Sequence, residues 1–122
     1  MEGPQIDRIK LGREGEEAAV RFLKKKRFKI VERGFRMFRG EIDIIAYDRK
    51  TLVFVEVKTR SGAGFGAPEE SVTISKQDQL RKIAQGYLVK NRLGDTPCRF
   101  DVVSVSIHDD GRPTIRHIED AF

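Results

Sequence analysis

Three acidic residues and a lysine lie inside two strongly apolar segments of the sequence. The stretch GEIDIIAYDRKTLVFVEVKTR carries Glu41 and Asp43 in its first half, and Glu56 and Lys58 in its second half. Most of its other residues are β-branched, aliphatic or aromatic, and polar residues at positions 48–51 separate the two halves. This pattern predicts a β-hairpin with a tight turn at those positions.

The predicted turn sets which residues face one another. Residues whose numbers sum to 99 are paired, so Asp43 lies opposite Glu56 and Glu41 lies opposite Lys58. Because side chains alternate along a strand, these four residues share one face. The other face is apolar and is expected to be buried, with Ile42, Ile44, Ala46, Val53, Val55 and Val57.

The acids at one end of this hairpin need an offsetting charge. Two carboxylates directly opposite one another repel by roughly 0.2 to 1 kcal/mol when exposed, and by more when desolvated. A divalent cation such as Mg²⁺, which prefers carboxylate oxygens, would offset that repulsion. Lys58 on the same face could hold a phosphate oxygen or orient an attacking water. The set therefore suits metal-assisted hydrolysis of a phosphodiester.

A purely structural explanation of these charges also exists. Alternating charges are common in edge strands, where they deter aggregation, and Glu41 with Lys58 could form a cross-strand salt bridge. Neither explanation accounts for an acid that faces an acid inside apolar strands. We therefore favour a functional site over surface charge pairing.

The elements that would position this hairpin follow from hydrophobic spacing and turn residues. A helix between the third and fourth strands permits a parallel crossover, so we expect a single α/β domain over residues 1–122 with a mixed sheet flanked by helices. We predict helices over residues 8–26 and 75–92, and strands over 28–33, the two hairpin arms, 98–107 and 112–118, after a loose tail of residues 1–7.

The segment before the second helix should return the chain to the acidic end of the hairpin. Residues 59–73 are rich in glycine and predict a mobile loop. Ser75 and Asp78 resemble a capping box at the start of the helix. Lys76 and Gln77 are then placed to contact phosphate or a metal-bound water, although Gln77 fits a solvated first-turn residue equally well.

Composition restricts the compartment and the partners. The 24 Lys and Arg against 19 Asp and Glu give a net charge of +5, which attracts polyanions such as nucleic acid. Cys98 is the only cysteine, so no disulfide can form within the chain. The first ten residues are charged where a signal peptide is apolar, and no apolar run is long enough for a membrane span. We expect a cytoplasmic protein without membrane contact.

The chemistry-bearing residues match a known motif. Asp43, then twelve intervening residues, then Glu56-Val57-Lys58 resembles the D…(D/E)-x-K motif of the PD-(D/E)XK nuclease superfamily. A closer resemblance, over nearly the whole chain, is to the YraN family of small bacterial nuclease-like proteins. It is carried by GREGEEAA, GEIDIIA, LVFVEVKTR, FGAPEESV, KQDQL and RFDVV in that order.

The resemblance implies a fold and a metal site. The fold is a restriction-endonuclease-like α-β-β-β-α-β core. The metal is Mg²⁺ or Mn²⁺, bound by Asp43, Glu56 and the carbonyl of Val57, and Lys58 positions or activates the nucleophilic water. Relatives that resolve four-way DNA junctions also carry a glutamate on the first helix, which maps to Glu16 as an auxiliary catalytic and metal residue.

Glu16 has alternatives within the same motif. It aligns with Ala19 and Leu23 at the border of the apolar stripe, whereas Glu17 points further outward. An acid in an early helical turn could equally serve the helix dipole. The chain departs from the family at Gly34, where the family usually has asparagine.

Basic and aromatic residues surround the predicted site. Phosphate contacts of this kind are electrostatic. Phe35 and Phe38 lie among the arginines that precede the site, and could stack on unpaired bases or belong to the core. The candidate nucleic-acid-binding residues are Arg33, Arg36, Arg39, Arg60, Lys76 and Gln77.

Three other polar residues have weaker assignments. Asp101 could support the site from behind, or be an ordinary residue at the start of a strand. His108 and His117 have no partners at metal-ligand spacing, and no role is predicted for them.

The leading hypothesis is a metal-dependent DNA endonuclease that acts on branched or single-stranded DNA. Since junction-cutting relatives work as dimers, the resemblance also implies a homodimer. The alternative is a nucleic-acid-binding module that keeps the nuclease fold without cutting. A structural protein with surface charge pairs is the third reading.

Overall fold

The structure, a computed structural model, describes residues 4–61 and 72–122, with side chains described from residue 8 onward. The predicted order of helices and strands is confirmed. Most of the predicted glycine-rich loop lies at residues 62–71, outside the described residues. The elements are α1 (Pro4–Lys25), β1 (Lys29–Met37), β2 (Gly40–Asp48), β3 (Thr51–Ser61), α2 (Ile74–Lys90), β4 (Cys98–Ile107) and β5 (Pro113–Ile118).

The strands form one mixed sheet, as expected. Its order is β1-β2-β3-β4-β5, and only the β3–β4 pair among the described strands is parallel. Helix α2 makes the crossover that a parallel pair requires. The hairpin register is confirmed from Asp48–Thr51 at the turn to Ile44–Val55. This α/β arrangement fits a restriction-endonuclease-like core.

Each helix covers one face of the sheet. Ala19 and Leu23 of α1 are fully buried against Val53, Val55, Val103 and Val105. On the opposite face, Leu80, Ile83 and Tyr87 of α2 pack on Ile45, Leu52 and Phe54. Within the described residues, no helix is both long enough and apolar enough to cross a membrane.

The predicted face of Ile42 is wrong. Ile42 packs with Ile45 on the α2 side, whereas Ile44 packs on the α1 side. Regular alternation would place positions 42 and 44 on the same face. The alternation is therefore interrupted around Asp43, which lies between them.

The cause is the end of one strand pairing. The β2–β3 ladder stops at Ile44–Val55. Beyond that pair, β2 remains paired with β1, and Glu41 lies opposite Arg36. The predicted pair of Glu41 with Lys58 does not form in the ladder. Because β3 no longer constrains the backbone there, β2 can depart from the regular pleat.

Two element boundaries differ from the prediction near glycine or proline. Helix α1 begins at Pro4 and not at residue 8, since proline suits the first turn of a helix. The expected loose tail is therefore helical from Pro4. Strand β1 continues to Met37 instead of ending at 33. Gly34 has a φ of 63°, which glycine accepts freely and asparagine tolerates better than most residues.

The cap of α2 also differs from the prediction. Thr73 is the N-cap residue, and its side-chain oxygen accepts a hydrogen bond from the backbone N–H of Lys76 at 3.1 Å. The capping box predicted at Ser75 and Asp78 is therefore wrong. A threonine two residues earlier instead accepts from a free N–H group of the first helical turn.

Asp101 belongs to a buried charge cluster between β4 and β5. Its carboxylate accepts hydrogen bonds from Arg99 Nε at 3.0 Å, from His117 Nε2 at 2.8 Å and from the N–H of Asp120 at 3.0 Å. Burial alone would raise the pKa of Asp101, but these donors hold it below its ordinary range. Arg99 also pairs with Asp48 at 3.0 Å. Asp101 and His117 are thus structural groups.

A close approach fixes α1 against β3. A Cβ atom added at Gly15 would lie 1.9 Å from Oγ1 and 2.7 Å from Cβ of Thr59, whereas one added at Gly12 would meet nothing within 4 Å. Glycine at position 15 therefore lets the helix pack directly over the strand.

These two glycines give a matched test of that packing. We expect Gly15→Ala to lower the free energy of unfolding by about 1 to 3 kcal/mol, because the helix must move away from β3. Gly12→Ala should raise it by about 0.5 to 1 kcal/mol through helix propensity. Urea denaturation followed by circular dichroism measures both. Equal stabilisation by the two substitutions would contradict the close approach.

Candidate active site

The site lies where β2 separates from β3. Asp43 Oδ2 accepts a hydrogen bond from the backbone N–H of Val57 at 2.8 Å. The side chain of Asp43 thereby satisfies a β3 backbone donor just beyond the last β2–β3 pair. Glu56, the residue before Val57, is buried with 6% of its surface exposed. The separation of the strands thus brings Asp43 and Glu56 together, as the sequence predicted.

The two carboxyl groups strongly affect one another. Burial, then the charge of Glu56 and a hydrogen bond with it, raise the pKa of Asp43 to about 7. The N–H of Val57 and the charge of Lys76 oppose this rise without overcoming it. Close carboxyl groups that cannot both ionise freely are typical of catalytic and cation-binding sites.

Two lysines approach Glu56 from different elements. The Nζ atoms of Lys58 and Lys76 each lie 3.7 Å from Glu56 Oε2. Lys58 comes from β3, two residues after Glu56, and Lys76 comes from the first turn of α2. The Thr73 cap holds that turn in place. The site therefore combines two acids with two cations.

Glu16 faces the same cavity as Asp43. The cavity measures about 650 Å³, and Glu41, Val57 and Thr59 also line it. Glu17 lines a different cavity, between α1 and the β4–β5 turn. The structure thus brings Glu16, and not Glu17, toward the acidic pair.

Arg33 holds both of these helix glutamates. Its Nε donates to Glu16 Oε1 at 3.1 Å and its Nη2 donates to Glu17 Oε1 at 2.8 Å. This long-range pairing left no local pattern in the sequence, which predicted Arg33 only as a phosphate contact. Glu16 would have to leave Arg33 in order to approach a cation beside Asp43.

The donor set fits a hard divalent cation in part. Asp43 and Glu56 supply adjacent carboxylate oxygens, and burial together with the charge of Glu56 raises the pKa of Asp43 despite the opposing charge of Lys76. Across residues 4–61 and 72–122, no three His, Cys, Asp or Glu side chains are gathered closely enough to form a metal-binding group. Mg²⁺ commonly uses one or two carboxylates and keeps several waters.

The predicted phosphate contacts lie in different places around the site. Arg36 is exposed, with its Nε atom 3.6 Å from Glu41 Oε1, and Arg39 lies in the β1–β2 turn. Arg60 follows Lys58 by two residues on β3. The side chain of Gln77 donates to the carbonyl of Val72 at 3.0 Å, so that amide supports the start of α2.

Sequence reasoning underestimated two members of the site. Lys76 was predicted only as a weak phosphate contact, yet it pairs with Glu56. Its position three residues after Thr73, at the start of a helix, was the available signal. Glu41 was expected to face Lys58, but it lines the cavity that Asp43 shares with Glu16. No pattern in the sequence indicated that β2 would leave β3.

The raised pKa of Asp43 predicts a pH-dependent stability. Between about pH 4 and pH 7 the folded state keeps a proton that the unfolded state releases. The contribution of Asp43 to the free energy of unfolding therefore falls as pH rises through this window, by at most about 1.4 kcal/mol per pH unit. Asp43→Asn keeps an acceptor for Val57 and should be more stable than wild type at pH 8, but similar at pH 4.

Urea denaturation from pH 4 to pH 8 in the presence of a chelator measures this difference. Asp95→Asn, in an exposed turn, is the control for the loss of one carboxylate. A difference between wild type and Asp43→Asn that stays constant with pH would contradict the raised pKa.

Sequence comparisons agree with the family suggested by the motifs. Residues 15–105 match the profile of the family described as "Uncharacterised protein family UPF0102". A UPF0102 protein of Geotalea uraniireducens is 52% identical over 118 residues, which cover 97% of this chain and 93% of that protein. One from Geobacter sulfurreducens is 46% identical over 121 residues, covering 99% and 94%. One from Symbiobacterium thermophilum is 47% identical over 113 residues, covering 93% and 96%. The chain belongs to UPF0102, the YraN family.

Proposed function

We propose that this protein is a metal-dependent endonuclease that hydrolyses phosphodiester bonds in DNA. The observation that carries the proposal is the contact of Asp43 with the buried Glu56, beside which Lys58 and Lys76 lie. Burial and this contact together raise the pKa of Asp43 to about 7. Such a pair lowers the free energy of unfolding, and a bound cation would remove that destabilisation. The D…(D/E)-x-K spacing supports the same chemistry.

The acids would hold the cation. Asp43 and Glu56 are its carboxylate ligands, and the carbonyl of Val57 is the backbone ligand that the motif implies. Glu16 is the auxiliary acid on the same cavity. When bound, Mg²⁺ or Mn²⁺ supplies Lewis-acid stabilisation of phosphate charge and lowers the pKa of water.

The lysines would act on the water and the phosphate. An ammonium group donates up to three hydrogen bonds and carries a compact positive charge. Lys58 is the group that positions the attacking water, and Lys76 can hold a non-bridging phosphate oxygen on the other side of Glu56. Because both already contact Glu56, they need little rearrangement to do so.

Basic residues near the site would bind the DNA backbone. Arg36 and Arg39 lie at the β1–β2 end of the site and Arg60 lies along β3. Their contacts with phosphate would weaken as salt rises. Branched or single-stranded DNA is the proposed substrate, and a homodimer is the proposed assembly on four-way junctions.

The second candidate is a nucleic-acid-binding module that does not cut. The pairing of Glu16 with Arg33 favours it, since only two acids then meet within the described part of the chain. Lys58 and Lys76 would in that case neutralise Glu56 and present positive charge to phosphate. Cleavage assays separate the two candidates.

Cleavage of labelled single-stranded, duplex, flap and four-way-junction DNA is the decisive measurement. With Mg²⁺ or Mn²⁺, wild type should cut at least one of these, and chelator should abolish cutting. Glu56→Gln, a near-isostere, should lower the rate by at least about 100-fold because a carboxylate ligand is lost. Glu32→Gln, an exposed acid on β1, is the matched control. Binding without cutting by wild type would favour the binding module.

Metal binding has a readout that is independent of activity. Mn²⁺ at about 100 times its dissociation constant should raise the free energy of unfolding of wild type by about 2.7 kcal/mol. Thermal denaturation with and without Mn²⁺ measures the shift, with Glu32→Gln as control. An equal shift in Glu56→Gln would place the cation elsewhere on the molecule.

A further inference from the structure

The turn between β1 and β2 carries an unusual pair of residues. Phe38 and Arg39 connect the paired residues Met37 and Gly40, and their φ angles are 53° and 60°. Two-residue turns with positive φ at both positions strongly prefer asparagine and glycine. A bulky residue in this region costs roughly 1 kcal/mol or more. Stability alone would not select phenylalanine and arginine here.

Phe38 is also exposed although it is aromatic. About 52% of its surface is accessible, whereas Phe35 on the preceding strand β1 is 4% exposed. Its ring rests beside α2, since a Cβ atom added at Gly86 would lie 3.0 Å from Cε2 of Phe38. Lys82 Nζ lies 4.9 Å from the ring centroid. The turn thus holds a partly exposed aromatic ring in a defined position.

A groove of about 530 Å³ lies beside this ring. Its lining is almost entirely apolar side-chain surface, and none of the lining residues is acidic. Val89, which is 69% exposed, forms part of its wall. The charged groups at its border are basic. The lining residues other than Phe38 include Met37, Lys82, Gly86, Val89 and Lys90.

Helix α2 contributes residues both to the groove and to the surroundings of the acidic pair. Lys76 contacts Glu56 at the start of the helix, and Lys82 is six residues further along, roughly 9 Å at 1.5 Å per residue. Stacked nucleotides rise about 3.4 Å each along one strand. The distance therefore corresponds to about two or three nucleotides, with a lysine near each end.

We propose that Phe38 stacks with an unpaired base in this groove, on the strand whose phosphate reaches Asp43 and Glu56. The inference rests on the proposed function and specifies its substrate: nucleic acid that is single-stranded within a few nucleotides of the cleavage point. An aromatic ring stacks on any base, and flanking lysines and arginines bind the backbone without sequence preference. Bases inside a duplex are not accessible to such a ring.

Charge favours this occupant over a second copy of the chain. Lys82, Lys90, Arg36 and Arg39 border the turn and the groove, and the whole chain carries +5. Packing two such faces together would bring like charges into contact. A polyanion that also offers apolar faces, as an unpaired nucleic-acid strand does, complements both the charge and the apolar lining.

Binding measured without metal tests this proposal. The probes are a fluorescein-labelled oligothymidine and a duplex of equal length, titrated by anisotropy in the presence of a chelator. Phe38→Ala should weaken oligothymidine binding by roughly 5- to 100-fold, the loss of one stacked base, and duplex binding by less than about twofold. Phe38→Tyr keeps a ring and should bind nearly as wild type. Val31→Ala, which removes an exposed aliphatic residue elsewhere on β1, is the control.

Several outcomes would overturn the stacking role. They are unchanged oligothymidine binding by Phe38→Ala, an equal loss for both probes, and no binding of oligothymidine by wild type. A change in sedimentation with Phe38→Ala, without a change in oligothymidine binding, would instead make the groove a protein interface. The binding assay contains chelator and requires no cleavage. It therefore tests the stacking role even if the protein shows no metal-dependent cleavage. Equal loss for both probes with cleavage intact would remove only the stacking role.

Discussion

The organisation of this protein depends on one separation, the point where β2 leaves β3. The ladder ends at Ile44–Val55, and the next backbone donor of β3, at Val57, is satisfied by the carboxylate of Asp43. A side chain thereby replaces a strand as hydrogen-bond partner. The replacement draws Asp43 against Glu56 in a buried place, where their charges conflict. The chemistry proposed for the site follows from that conflict.

The helices hold the separated strands from opposite faces. Helix α1 approaches β3 closely at Gly15, which places Glu16 on the cavity of Asp43. Helix α2, capped by Thr73, delivers Lys76 to Glu56 from the other side. Neither helix could be moved without changing the charge around the acids. The packing of the two helices on the sheet therefore also sets the positions of the charged groups in the site.

The sequence predicted local features well and long-range ones poorly. Hairpin register followed from the turn, and the pairing of Asp43 with Glu56 followed from register, because both depend on neighbouring residues. The face of Ile42 was missed because the alternation rule assumes an uninterrupted ladder. The contact of Arg33 with Glu16 joins β1 to α1, and spacing within either element does not specify it. Phe38 and Arg39 have positive φ angles, whereas turns with such angles ordinarily contain asparagine and glycine.

The charge cluster around Asp101 has a consequence for how the sheet moves. Arg99 ties β4 to Asp48 at the hairpin turn, and His117 ties β5 to the buried carboxylate of Asp101 on β4. The hairpin turn is thus tied to β4 through Asp48, while at the acidic end of the hairpin β2 and β3 are already apart. Local opening follows the least stabilised contacts. Backbone amides should therefore exchange with solvent sooner at Asp43 than at Asp48. The central hairpin would open first at its acidic end, while the strands stay paired at the turn.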